Sequence, residues 1–260
     1  MAEMTEYQPG TPSWVDLSAP DPDAAARFYG ELLGWQANPS PEPEAGGYVM
    51  MTLRGHNVAG IGPIMAEGHP PAWATYVSTA DADATAAAVR DAGGAVVMEP
   101  MDIMQEGRLA VFADPGGAVF GVWQPRNHKG AGLVNEPGSL CWNELLTRDV
   151  EGAKTFYGAV FGWEFNTQSM GEMDYTVVML GDRGIAGMMD MTGQLPDQVP
   201  PHWGVYFAVD DTDATMAKVQ ELGGSVTAGP MDIPDVGRMA ALADPHGAAF
   251  NVLQFPASDQ

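Results

Sequence analysis

Two carboxylates stand two residues after a tryptophan in matching phrases, Asp16 in "WVDL" and Glu144 in "WNELL". Both phrases read as β-strands. Strand alternation puts Trp14 beside Asp16 on one face, and Trp142 beside Glu144 on one face. On an apolar, partly buried face an unpaired carboxyl has a raised pKa, which suits a general acid or base near neutral pH. The plainer alternative is that each accepts a hydrogen bond from an indole or backbone N–H and fixes the sheet. Tyr76 and Tyr206 lie on later strands, and a phenol facing such a carboxylate can donate to a developing oxyanion. His202 precedes the strand that holds Trp203 and Tyr206, and is the histidine nearest this constellation. His56 and His246 read as turn residues, and His69 and His128 as loop or linker. Arg108 and Arg238, each in a "GR" before a strand, are candidate anchors for a ligand anion; a surface salt bridge is the default alternative.

These side chains need elements that carry them twice, and the chain is a tandem repeat. "FYGELLGW" at 28–35 returns as "FYGAVFGW" at 156–163, at the same offset of 128 that relates the two tryptophan–carboxylate phrases. Tyr48 pairs with Tyr175, and "AG" at 59–60 with "AG" at 186–187, at an offset of 127; from Trp73 and Trp203 onward the offset is 130. Between 100–124 and 230–254, 15 of 25 positions are identical, too many for chance. Loops absorb the changes of offset. The Gly- and Pro-rich stretch 124–139 reads as a linker, dividing the chain into domains 1–128 and 129–260. Within each half, helices start at acidic caps: Asp21 with Pro22 at the first position, Asp81 or Asp83, Asp149, and Asp211 or Asp213. They end at Gly34, Gly93-Gly94, Gly162 and Gly223-Gly224. Strand patterns precede and follow each helix. The fold class is therefore α+β, a duplicated pair of domains, each of two βαβββ modules.

The 34 acidic against 11 basic residues leave a formal charge of −23. That field repels phosphate backbones and anionic lipid, so nucleic acid and membrane surfaces are poor partners. Cys141 is the single cysteine, which excludes an intrachain disulfide and a multi-thiolate metal site. "MAEMTEYQPG" lacks the basic start and apolar run of a secretory signal, and no apolar stretch is long enough to span a bilayer. A cytoplasmic protein is expected. No Gly-rich phosphate loop or dinucleotide fingerprint occurs, so no nucleotide cofactor is indicated.

The ordered motifs "FYxxxxGW", "GGxV", "GR" and "ADPxG", present twice, resemble the vicinal oxygen chelate superfamily of glyoxalases, bleomycin-resistance proteins and extradiol dioxygenases. The likeness covers nearly the whole chain and is greatest to two-domain glyoxalase-like proteins of actinobacteria. It implies that paired modules form a cupped mixed sheet around a small-molecule pocket. One fold hosts many functions, so it does not imply a reaction. Metal-binding members take His, Gln or Glu ligands from the first and last strands of a domain. The corresponding cup positions here read Trp14, Ala74 and Gly121, then Trp142, Gly204 and Asn251. None is a usual ligand, so no metal and no other cofactor is expected. A noncanonical site from Asp16, or from Glu144 with His202, is the remaining alternative.

Trp14, Tyr76 and Trp123 would line one cup, and Trp142 and Tyr206 the other. Gly121 and its counterpart Asn251 stand where a ligand could lie. Flat apolar walls suit a planar or aromatic ligand, unless the rings merely fill the cup as core. Two function classes follow. One is a metal-independent tailoring enzyme that dehydrates, cyclises or isomerises an aromatic or polyketide-like metabolite through carboxylate and tyrosine acid–base chemistry. The other is a protein that sequesters a drug or metabolite. A metal-dependent glyoxalase or dioxygenase is implied by family name alone. Four modules in one chain complete two cups, so a monomer or weak homodimer is expected.

Overall fold

Four acidic caps set the helices. In the computed structural model, which describes residues 2–65, 68–170 and 173–256, Asp21, Asp81, Asp149 and Asp211 each accept hydrogen bonds from backbone N–H groups of the first turn. These bonds satisfy donors that a helix start leaves open. The helices are α1 (Pro22–Leu33), α2 (Ala82–Asp91), α3 (Val150–Phe161) and α4 (Thr212–Glu221). Gly34 and Gly162 close α1 and α3 in the left-handed conformation, at φ 77° and 69°, where a side chain would be strained.

The strands in chain order are β1 (Ala2–Glu3), β2 (Pro12–Ala19), β3 (Gln36–Pro39), β4 (Val49–Leu53), β5 (His56–Pro63), β6 (Ala72–Ser78), β7 (Ala95–Ile103), β8 (Gly107–Ala113) and β9 (Val119–Pro125). After them come β10 (Leu133–Val134), β11 (Leu140–Thr147), β12 (Glu164–Met170), β13 (Met173–Leu180), β14 (Arg183–Asp190), β15 (His202–Ala208), β16 (Ser225–Ile233), β17 (Gly237–Ala243) and β18 (Ala249–Gln254). The first half forms one sheet in the order β3-β4-β5-β2-β6-β9-β8-β7. The second repeats it as β12-β13-β14-β11-β15-β18-β17-β16, with β10 and β1 added beside β11. Each half is thus two βαβββ modules joined where first strands meet antiparallel, β2 with β6 and β11 with β15. The short, fully exposed β3 carries no apolar alternation, which is why its pattern is faint in the sequence.

Each module shares its helix-side core with a module of the other half. One core joins β2, α1, β4 and β5 to β15, α4, β17 and β18, through Leu17, Tyr29, Trp35, Phe207 and Phe250. The other joins α2, β8 and β9 to β11, α3 and β14, through Phe112, Phe120, Phe156, Tyr157 and Trp163. Buried polar ties cross between halves. Tyr157 donates to Asp114 Oδ2 (3.1 Å) and accepts from Trp203 Nε1 (2.9 Å). Tyr29 donates to Asp244 Oδ2 (3.3 Å) and accepts from Trp73 Nε1 (3.0 Å). The repeated "ADPxG" phrase therefore anchors the opposite half as well as turning its own chain. Among the described residues, no helix is long and apolar enough to cross a membrane.

Candidate functional site

Glycines make room for the polar centre of each cup. Gly60 on β5 lies beside Asp16 in register, and a methyl there would overlap the Tyr48 hydroxyl and the Asp16 carboxylate. Gly187 on β14 lies beside Glu144, and a methyl there would overlap the Tyr175 hydroxyl and the Trp142 indole nitrogen. The twice-repeated "AG" is thus a close-approach requirement, met by the missing side chain.

In the first cup Asp16 Oδ1 accepts hydrogen bonds from Trp14 Nε1 (2.8 Å) and the Tyr48 hydroxyl (2.6 Å). The same indole also reaches Tyr48 (3.2 Å). Burial pushes the Asp16 carboxyl above its ordinary range, against the opposing pull of hydrogen bonds from Tyr48, Trp14 and Tyr76. In the second cup the Tyr206 hydroxyl donates to Glu144 Oε2 (2.7 Å), and Trp142 Nε1 donates to the Tyr175 oxygen (2.9 Å). Burial raises the Glu144 carboxyl as well, with hydrogen bonds from Tyr206 and Tyr175 pulling the other way. Burial and the neighbouring carboxylates hold Tyr48, Tyr76, Tyr175 and Tyr206 far above the usual phenol range. All four therefore carry their protons at neutral pH. Each cup sets a carboxyl of raised proton affinity between two phenols, an arrangement able to pass a proton to or from a ligand oxygen or carbon.

The structure brings Trp14, Asp16 and Tyr76 together in one cup, and Trp142, Glu144 and Tyr206 in the other. Trp123 joins the first with its indole donating to the His128 carbonyl (2.9 Å). Tyr48 and Tyr175 were missed as site residues, although their pairing in the repeat and their place before "AG" was the available signal. Other expectations are corrected. The space above Gly121 is filled by the Tyr76 ring, so it offers a ligand no room. Asn251 donates to the Val205 carbonyl (3.2 Å), which ties it to the backbone beside the second cup. His202 lies at the start of β15, where its ring pairs with the Pro200 carbonyl (2.8 Å) and not with Glu144. Arg108 and Arg238 point to the helix side of the sheet, because they alternate with the cup-facing Leu109 and Met239. Arg108 is held by Asp83 and Asp102, and Arg238 by Asp213 and Asp232, so neither anchors a ligand in a cup. His128, read as a linker residue, is buried in the first cup. Its ring packs edge-on against Trp14 (4.3 Å) and Trp123 (5.6 Å).

The donor set does not fit a divalent metal. Each cup centre holds one carboxylate hemmed by phenol and indole donors, where three converging nitrogen or oxygen ligands are the norm. Among the described residues, no group of three His, Cys, Asp or Glu side chains is placed to hold an ion.

The model of the Glyoxalase/Bleomycin resistance protein/Dioxygenase superfamily matches residues 11–122 and again 139–252. The chain is 47% identical to CFP32 of Mycobacterium tuberculosis over the full length of both. It is 42% identical to the anthracycline biosynthesis protein DnrV of Streptomyces peucetius, over 96% of this chain and 95% of DnrV. Among solved structures, the Mn(II)-bound glyoxalase from Novosphingobium aromaticivorans superposes with a TM-score of 0.65 at 15% identity, covering 95% of this chain and 82% of that one. The 2,3-dioxygenase LapB from Pseudomonas sp. KL28 superposes with a TM-score of 0.66 at 14% identity, covering 98% and 96%. At that identity the superpositions speak to the fold alone.

Proposed function

Because this chain belongs to the glyoxalase/bleomycin resistance protein/dioxygenase superfamily, we propose that it is a tailoring enzyme of secondary metabolism that moves protons on a planar, aromatic small molecule. The observation that carries this reading is the twice-built constellation of one buried carboxyl, two protonated tyrosines and a tryptophan, set in an apolar cup. The kinship with a protein named for anthracycline biosynthesis supports an aromatic polyketide as the class of substrate. Steps within reach are dehydration, cyclisation and isomerisation. In an isomerisation the carboxylate takes a proton from carbon, the same carboxyl returns it elsewhere on the ligand, and a tyrosine hydroxyl stabilises the intervening oxyanion. In a dehydration the protonated carboxyl gives its proton to the departing hydroxyl, which leaves as water, and the carboxylate so formed takes the proton from the adjacent carbon as the double bond forms. Neither step is routed through a metal, because the residues present do not fit one.

A second reading, sequestration of the same class of molecule, is favoured by the engagement of each buried carboxyl with the phenols around it. Asp16→Asn and Glu144→Gln separate the two. Under the enzyme reading one of these variants loses about a hundredfold or more in turnover while binding persists, the usual scale for an acid–base group. Binding of a tetracyclic hydroxyquinone without turnover by the unaltered chain excludes the enzyme reading, and unchanged turnover in both variants excludes the carboxyls as its acid–base groups.

A further inference from the structure

The apolar lining of each cup runs outward across the sheet to an exposed edge. Residues paired across neighbouring strands share a face, so the register traces the lining. Trp123 on β9 pairs with Leu109 on β8, and Leu109 with Met101 on the edge strand β7. In the second half Leu253 pairs with Met239, and Met239 with Met231 on the edge strand β16. The inner members pack among the rings of their cups, Leu109 against Trp14, Tyr76 and Trp123, and Met239 with Tyr206 and Leu253. The outer members are open: Met101 is 46% exposed and Met231 45%. An isolated exposed methionine is ordinary. These two stand at the same place in the repeat, at the offset of 130, on the cup face, and each ends a strip that begins in the aromatic lining. The inner positions of the strip differ between the halves, Trp123 against Leu253 and Leu109 against Met239, while methionine holds the rim in both. Exposed apolar surface continuous with a concave site marks where a ligand lies.

Four strand-to-strand steps separate β2 from β7, and β11 from β16. At a spacing of about 4.8 Å, the edge strand lies roughly 19 Å along the curved sheet from the strand that carries the carboxyl. Side chains shorten that span from both ends. A single ring held at Asp16 or Glu144 does not reach the rim; three or four fused rings do. We propose that Met101 and Met231 are specificity-determining contacts for the far, apolar end of a polycyclic ligand whose oxygenated ring lies at the carboxyl and phenols. Methionine suits the place, because its thioether is flexible and polarisable and packs favourably on an aromatic edge. The inference rests on the small-molecule reading given above and adds to it the length of ligand that the site selects.

The test uses quinizarin, a planar dihydroxyanthraquinone of three fused rings, with its visible absorbance as the measure of binding. Full-length chain with isotope-labelled methionine methyl groups reports the contact by nuclear magnetic resonance, the signals being assigned from single alanine variants. The Met101 and Met231 methyl signals are expected to shift as quinizarin saturates, while that of Met65, 86% exposed and just after β5, stays in place. Met101→Ala combined with Met231→Ala is expected to weaken binding about fivefold or more, and the paired leucine substitutions to leave it within about threefold. Ortho-hydroxyacetophenone, which carries the same hydroxy-ketone on one ring, is expected to leave both rim signals in place; a shift overturns the assignment of ligand length. Binding of quinizarin with either rim signal unmoved, or with unchanged affinity in the alanine pair, overturns the proposal and leaves the small-molecule reading intact. Failure of quinizarin to bind removes the aromatic substrate class, and this inference with it.

Discussion

Replacing His128 by phenylalanine probes the linker's hold on the first cup through its dependence on pH. The imidazole is buried between Trp14 and Trp123, and its Nε2 has no hydrogen-bond partner. Burial lowers its pKa from 6.5 to about 4. In the folded chain the ring is therefore neutral, while in the unfolded chain it takes up a proton below about pH 6.5. The contribution to stability is fully present above the unfolded value and is lost as the pH falls through the folded one. Linkage makes this loss about 2 kcal/mol between pH 7 and pH 5, rising to about 3 kcal/mol at pH 4. Phenylalanine keeps an aromatic edge against Trp14 and has no proton to gain, so the variant should not show that loss. Asp16, Asp114 and Glu144 have raised pKa values, and their contribution runs the other way, falling as the pH rises through those values. They are present in both proteins and cancel in the difference. Urea denaturation followed by tryptophan fluorescence at pH 7 and pH 5 measures the quantity directly. Equal losses in wild type and His128→Phe would refute a buried, neutral histidine and with it the packing of the linker in the cup.

Tyr157→Phe removes the hydroxyl that bridges Asp114 and Trp203, leaving buried polar atoms unpaired; a loss of about 1–3 kcal/mol in denaturant unfolding is expected, with no change in the ligand bound per chain. Gly187→Ala forces Tyr175 and Trp142 apart beside Glu144. It is expected to cost about 1–3 kcal/mol by overpacking and to lower turnover more than its effect on stability explains, as kinetics at a temperature where the variant is fully folded would show. Arg108→Ala and Arg238→Ala should leave turnover unchanged in a steady-state assay, because both guanidinium groups lie on the helix side of the sheet, away from Asp16 and Glu144. If Glu144 acts as the acid, turnover should fall as the pH rises through its raised pKa, and Glu144→Gln should abolish that limb of the profile.

The sequence by itself determined the duplication, the four capped helices and the face on which each strand residue lies. Those features are local: a cap needs only an Asp and the next turn, and strand alternation needs only a period of two. It therefore placed Asp16 with Trp14 and Glu144 with Trp142, and its ordered motifs identified the family. What lies opposite a residue is a matter of register between distant segments, and only the tertiary structure decided it. Tyr48 and Tyr175 reach the carboxylates because β5 and β14 bring glycines alongside them. Arg108 left the list of ligand anchors because Asp83 and Asp102 come to it from two other elements. Asp114 and Asp244, legible only as turn residues, proved to tie each half to the other. His128 sits in a polar, glycine-rich stretch that carries no periodic signal, so nothing in the sequence marks it as buried. Its place is set by long-range contacts with Trp14 and with the backbone of β2 and β5, which exist only once the chain has closed over its own cup.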